Sequence, residues 1–165
     1  IQDFGADVLL IVVGDGPLRP MLEAQARSSH QESRVRFAGY RPQKELALWM
    51  NACNVFCLPS LNEGWPTVLF EAMACGTPVV ASKVGGLSYN VQDGETGFLV
   101  PGGDAEALAT RIRCLLTDQD LRERLGQQAA NWAQRYGWPV VTNQIIEQFE
   151  RVQRVSEPLP KVCWG

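Results

Sequence analysis

The chain has 165 residues, 45% of them hydrophobic, and a net charge of -3. That suffices for one domain with a full core and gives no support for nucleic-acid binding by a basic surface. Five scattered cysteines, odd in number and without a CxxC pair, argue against a disulfide framework and fit a reducing compartment.

In chain order, Val8 to Val13 reads VLLIVV, six apolar residues without alternation, which predicts a strand buried on both faces in a parallel sheet. Gly14-Asp15-Gly16-Pro17 ends it, and a helix is expected over Leu18 to Ala26. Arg19 stands where a G-x-G-x-x-G fingerprint needs its third glycine, so a tight strand-to-helix turn is the better reading. The one histidine, His30, lies in the polar run Ser28 to Arg34, a solvated loop, so neither a Ser-His-Asp triad nor a histidine metal site is expected. Val35-Arg36-Phe37 predicts a second strand stopped at Gly39. Lys44 to Asn51 predicts a helix with Leu46, Leu48 and Trp49 on its apolar side.

Val55 to Leu58 reads as a strand; Cys53 and Cys57 straddle the junction before it and do not imply a ligand pair. A helix from about Thr67 to Cys75 closes at Gly76. Pro78 to Ala81 and Gly97 to Val100 complete the strands, and Asp104 is a good N-cap for a helix over Ala105 to Leu116. A helix from Asp118 to about Tyr136 places Leu121, Leu125, Ala129, Trp132, Ala133 and Tyr136 on one face. Gly137-Trp138-Pro139 breaks it, and a last helix carries Val141, Ile145, Phe149 and Val152 at helical spacing. Residues 1–155 are expected to form the domain and 156–165 a tail. Strands alternating with helices imply an α/β, Rossmann-like open parallel sheet with helices on both faces. Ligands of such sheets bind at the carboxyl ends of the strands, where the Gly-rich loops fall.

The chemistry concentrates in Asn62 to Ser82, NEGWPTVLFEAMACGTPVVAS, where Glu71 is the only charged residue after Glu63. Gly64-Trp65-Pro66-Thr67 reads as a helix start, with Pro in the first turn. The free N–H groups of Trp65, Thr67 and Val68, with the helix dipole, make an anion site, and Gly64 admits close approach. Glu71, a turn further on, suits ribose hydroxyls, and Glu63, just before the helix, suits a sugar beyond the phosphate. The competing reading makes Glu71 only a capping or dipole partner. Lys83, after the following strand, reads either as a phosphate contact or as a solvated lysine, and the charges Arg111, Arg113, Arg122, Glu123 and Arg124 as a solvated face.

The same stretch resembles the signature of retaining glycosyltransferases of family 4, which have the GT-B fold: Glu, seven residues, Glu, then an Ala- and Gly-containing segment. VVGDGPLRPMLE, VRFAGYRP, NACNVFCLPS and GETGFLVPGGDAEALA resemble further family segments in the same order, over roughly Val8 to Phe149. The subgroup looks closest to bacterial enzymes of teichuronic acid or exopolysaccharide synthesis. The resemblance implies the C-terminal, donor-binding half of a GT-B fold, lacking that half's first strand and helix. It implies that Glu63 contacts the transferred sugar and Glu71 the donor ribose, that the backbone of Gly64, Trp65, Pro66, Thr67 and Val68 binds phosphates and sugar, and that Tyr40 and Arg41 flank the base. The implied partners are a nucleoside diphosphate sugar and, through an N-terminal domain, a saccharide or lipid-linked acceptor. Neither metal nor resident cofactor is implied. After Gly85-Gly86 the family often has Pro-Glu two residues on; Leu87-Ser88-Tyr89 stands here, so that glutamate's role is not carried over.

No apolar run approaches the roughly 20 residues of a membrane span, and Ile1 opens on domain-like sequence. The expectation is a cytoplasmic location, peripheral to the inner membrane face if the acceptor is lipid-linked. Two other function classes fit parts of the pattern: a non-catalytic nucleotide-binding or interaction module, and an NAD-dependent oxidoreductase half, against which the broken glycine fingerprint counts.

Overall fold

The computed structural model describes residues 8–155. Five strands and seven helices follow one another: β1 (Leu10–Val13), α1 (Arg19–Ser28), β2 (Val35–Gly39), α2 (Gln43–Ala52), β3 (Phe56–Leu58), α3 (Thr67–Ala74), β4 (Val79–Ser82), α4 (Leu87–Asn90), β5 (Gly97–Val100), α5 (Ala105–Thr117), α6 (Gln119–Ala133) and α7 (Trp138–Val155). A 3-10 turn over Gln134–Tyr136 joins the last two helices. All pairings between strands are parallel: β1 with β2, and β3-β4-β5 in that order. The architecture is Rossmann-like. In the doubly wound order 3-2-1-4-5-6, β2 and β1 take the places 3 and 2, and β3, β4 and β5 the places 4, 5 and 6. Among the described residues no strand joins the β1-β2 sheet to the β3-β4-β5 sheet.

The core is organised by β4, whose four residues are all buried. Its side chains alternate, as a strand's must. Val79 and Ala81 enter a cluster with Leu69, Ala72 and Met73 of α3, Leu87 of α4, Ala129 and Ala133 of α6 and Met50 of α2. Val80 points the other way, to Phe98 and Val100 of β5, Leu115 of α5 and Leu125 of α6. Each such buried Val or Leu contributes roughly 1.5–3 kcal/mol, so a four-residue strand suffices to anchor helices on both faces.

Helix ends follow local chemistry. The Asp104 carboxylate accepts from the Ala107 N–H at 2.9 Å and so caps α5, as its sequence position predicts. Asp118 does the same for α6 through the Leu121 N–H at 2.9 Å. Arg122 is not merely solvated: its Nη1 donates to the Leu115 carbonyl at 2.9 Å and serves the open carbonyls of α5. Arg111 likewise lies over the Phe98 ring, 4.6 Å from its centroid.

Three expectations fail, each for a physical reason. β1 is not buried on both faces: Leu9, Leu10 and Val13 are exposed, because β1 pairs along one edge only and α1 buries no residue. Leu48 of α2 is also exposed, and Met50 is the residue of that helix that enters the core. Gly137 alone interrupts the chain before α7, since Pro139 falls in that helix's first turn, where its missing N–H has no intrahelical acceptor to lose. α4, four residues long, was not anticipated; too short to show a period, it carries Leu87 and Asn90 into the interior. The Asn90 carbonyl accepts from Trp132 Nε1 at 2.9 Å, while its side-chain amide is buried without a protein partner. The apolar positions of α7 hold helical spacing, yet Ile145, Phe149 and Val152 are exposed. No described helix is long and apolar enough to cross a membrane. The tail, 156–165, lies outside the described residues.

The turn after α3 rests on α6 at a position that admits no side chain: a Cβ on Gly126 would stand 2.2 Å from the Gly76 carbonyl oxygen. Gly126→Ala is expected to lower stability by about 1–3 kcal/mol through forced separation of the two helices, read as a lower thermal midpoint, despite alanine's better helix propensity.

Candidate functional site

Because the strands within each sheet are parallel, the loops that follow them gather at that sheet's carboxyl edge. The loop after β3, residues 59–66, carries Glu63 and delivers the chain into α3. Pro66 is the residue before the first helical position, with φ -76° and ψ 103°, rather than inside the first turn. No side chain caps α3. Among the described residues no backbone carbonyl accepts from Trp65, Thr67 or Val68, so the helix start keeps unclaimed N–H donors and the positive end of its dipole. Gly64, Trp65 and Thr67 are exposed there, Val68 is half-buried, and Pro66 is buried.

Glu71 is not in the core. α3 buries Leu69, Ala72 and Met73, and Glu71 stands half-buried on its other side. That resolves the cost of a carboxylate in so apolar a helix. Gln43 Nε2, at the start of α2, reaches Glu71 Oε1 at 3.5 Å, the long limit of a hydrogen bond. The contact brings Glu71 to the loop after β2, where Tyr40 is exposed and Arg41 makes a long ion pair with Glu45 at 3.9 Å. The Arg41 Nε is buried without a protein acceptor. Tyr40, Arg41 and Glu71 therefore border one region, with Gln43 between them, a residue that sequence reasoning did not single out.

Glu63 lies in the loop that leads into the helix start. Ser60 Oγ donates to Glu63 Oε1 at 2.7 Å, and the Gly86 N–H donates to the Glu63 carbonyl at 3.2 Å. The indole of Trp65 turns to the protein: it stacks on Phe70 with centroids 5.3 Å apart and meets Tyr136 edge-on at 5.7 Å. Tyr136 also touches Phe70 and Trp132, so an aromatic cluster joins the start of α3 to the end of α6. The ring is nonetheless about half exposed, so both its edge and its backbone face the medium. Lys83 is exposed directly after β4. Arg19, in the place of the missing third glycine, pairs with Asp15 at 2.9 Å and Glu23 at 2.8 Å.

Among the described residues no three His, Cys, Asp or Glu side chains stand together in a metal-holding group. Three thiols are held in the protonated form: burial pushes Cys57 up to about 12, and it raises Cys53 and Cys75 as well. The arrangement thus offers an anion site at a helix start, flanked by two carboxylates suited to hydroxyl groups.

Comparison with known proteins places the chain among glycosyltransferases. The model of the family described as glycosyl transferases group 1 matches residues 2–132. The D-inositol 3-phosphate glycosyltransferase of Kribbella flavida is 39% identical over 137 residues, 82% of this chain and 32% of that protein. The phosphatidyl-myo-inositol mannosyltransferase of Mycobacterium leprae is 40% identical over 147 residues, 88% of this chain and 38% of that protein. The chain thus spans about a third of the length of such curated relatives. Among solved structures, Anabaena HepE in complex with UDP superimposes with a TM-score of 0.83 at 31% identity, covering 89% of this chain and 42% of that one. Sucrose-phosphate synthase from Thermosynechococcus elongatus gives 0.80 at 35% identity, covering 89% and 39%.

The half-buried Cys57 thiol on β3 makes a pH-dependent contribution to stability. Its pKa is raised from 9.0 to about 12 in the folded chain, so the contribution is complete below pH 9 and is lost as pH rises through about 12. The thermal midpoint is expected to fall above pH 9, and Cys57→Val, which keeps a small apolar side chain, is expected to flatten that fall in melts recorded from pH 7 to 11.

Proposed function

We propose that this chain, which belongs to the glycosyl transferases group 1 family, is the donor-binding half of a GT-B enzyme that transfers a hexose from a nucleoside diphosphate sugar to an acceptor hydroxyl with retention of anomeric configuration. The observation that carries the reading is the start of α3: unclaimed N–H groups at a sheet's carboxyl edge, with Glu63 in the loop before it and Glu71 a turn into it. The diphosphate lies on the N–H groups of Trp65, Thr67 and Val68, beside the open backbone of Gly64 and Pro66. Glu71 accepts from the ribose hydroxyls, displacing the long contact to Gln43. Tyr40 and Arg41 border the base. Glu63 accepts from a hydroxyl of the sugar being transferred.

In this reading the bond from the anomeric carbon to the diphosphate breaks with its electron pair on the leaving phosphate. The helix start meets that developing charge with fixed donors, which need not reorganise during the step. Basic side chains at the same edge, Arg41 and Lys83 among them, add to the field, and neither a metal nor a resident cofactor is invoked. The UDP held by Anabaena HepE supports a uridine nucleotide as the first donor to test. The acceptor is saccharide or lipid-linked and binds through an N-terminal domain, and the inositol-bearing acceptors named for the curated relatives stand beside the teichuronic acid or exopolysaccharide synthesis that the sequence resemblance suggests.

Two measurements on the complete enzyme separate the two carboxylates. Glu71→Ala is expected to weaken UDP binding in calorimetry about tenfold or more, the cost of losing hydrogen bonds to a charged group; unchanged affinity would remove the ribose role. Glu63→Ala is expected to keep UDP affinity and lower turnover of the donor sugar roughly a hundredfold or more, and a variant with full activity would refute its contact with the sugar.

A further inference from the structure

We infer that Ser60 is a positioning residue that aims the Glu63 carboxylate, acting on a backbone that Gly85 and Gly86 hold in place. The inference rests on the proposed contact of Glu63 with the transferred sugar.

Glu63 sits in a loop, where a glutamate has three free side-chain torsions and no regular structure to restrict them. A group that must meet a sugar hydroxyl needs its position fixed by other means. Two separate devices do this. The backbone is fixed from the loop after β4. The Gly86 N–H donates to the Glu63 carbonyl, and the two loops lie so close that a Cβ on Gly85 would stand 1.9 Å from the Glu63 oxygen. One on Gly86 would stand 1.7 Å from the Gly64 oxygen. Gly85 also has φ +47°, which few L side chains tolerate. The contact therefore exists only between bare backbones, and it sets where the Glu63 Cα lies.

The side chain is fixed by Ser60. The Ser60 hydroxyl donates to Oε1 at 2.7 Å, the short range of an O–H donor to a carboxylate. No other described side chain donates to Glu63. With one carboxylate oxygen engaged by Ser60, the other is left for the substrate, and the torsions between are restrained from both ends. Because the backbone clamp does not involve the serine, removing the hydroxyl frees the carboxylate while leaving the loop, the start of α3 and Glu71 where they are. That separation makes the role testable.

The experiment compares Ser60→Ala, Ser60→Thr and Glu63→Gln with the wild type in the complete transferase. Turnover is measured with UDP-glucose, or with the nucleoside diphosphate sugar that a donor screen shows the wild type to use; UDP affinity is measured by calorimetry and the thermal midpoint by melting. Ser60→Ala is expected to lower kcat about tenfold to a hundredfold, as a misplaced group does, with UDP affinity and melting held near wild type. Ser60→Thr, which restores a hydroxyl at the same atom, is expected to recover most of the loss. Wild-type kcat in Ser60→Ala alongside an impaired Glu63→Gln would overturn the role of Ser60 and leave that of Glu63. Wild-type kcat in Glu63→Gln would overturn the underlying reading. A Ser60→Ala enzyme that loses UDP affinity and melting temperature in step with kcat, or a threonine that restores nothing, would make the serine a structural residue and overturn the inference.

Discussion

Everything at the candidate site hangs on β4. A strand of four residues with no accessible side chains has to be covered on both faces; Val79 and Ala81 pack with α2, α3 and α4, Val80 with α5, and α6 supplies side chains to both clusters. The chain enters β4 from α3 and leaves it into the Gly85-Gly86 turn. The helix whose start collects N–H donors and the turn that braces Glu63 are thus the two immediate neighbours of the most buried strand. Precision at an exposed loop is borrowed from a rigid interior.

The sequence makes some of this plain and hides the rest, for reasons that differ from element to element. Long periodic segments are legible: Asp104 and Asp118 announce the starts of α5 and α6 because capping needs one residue type at one position. The site is legible in outline because two glutamates around a helix start are a local pattern. Burial is less legible, since it depends on partners. VLLIVV reads as an interior strand, but β1 is covered only where β2 reaches it. Leu48 has the composition of a core residue and the wrong angular position on α2. Tertiary contacts that join loops were not legible at all. Nothing in the sequence marks Ser60 and Glu63, or Gln43 and Glu71, as pairs: the first lie in a loop, which has no period, and the second join two helices across 28 positions.

The two carboxylates also show how one sequence motif divides labour. Glu71 is carried by a helix, whose backbone fixes it, and its long contact with Gln43 is weak enough to exchange for a ligand hydroxyl. Glu63 is carried by a loop and has its fixtures added separately, one on the backbone and one on the carboxylate. Rigidity is inherited in the first case and assembled in the second, so Glu63 depends on residues well away from it in sequence.

The aromatic cluster has an optical consequence. Trp65 is about half exposed, at 53%, in the loop that opens α3, while its ring is held against Phe70 and Tyr136. Its indole is therefore fixed in orientation yet open to the medium, a few atoms from the unclaimed N–H groups of the helix. Trp132, in the same cluster, is hydrogen-bonded to the Asn90 carbonyl and lies deeper. The domain carries its own fluorophore at the place where charge would arrive, beside a second that shares its packing and is shielded from it. Trp49, Trp138 and Trp164 emit as well, so the signal of Trp65 stands alone only where the other tryptophans are replaced.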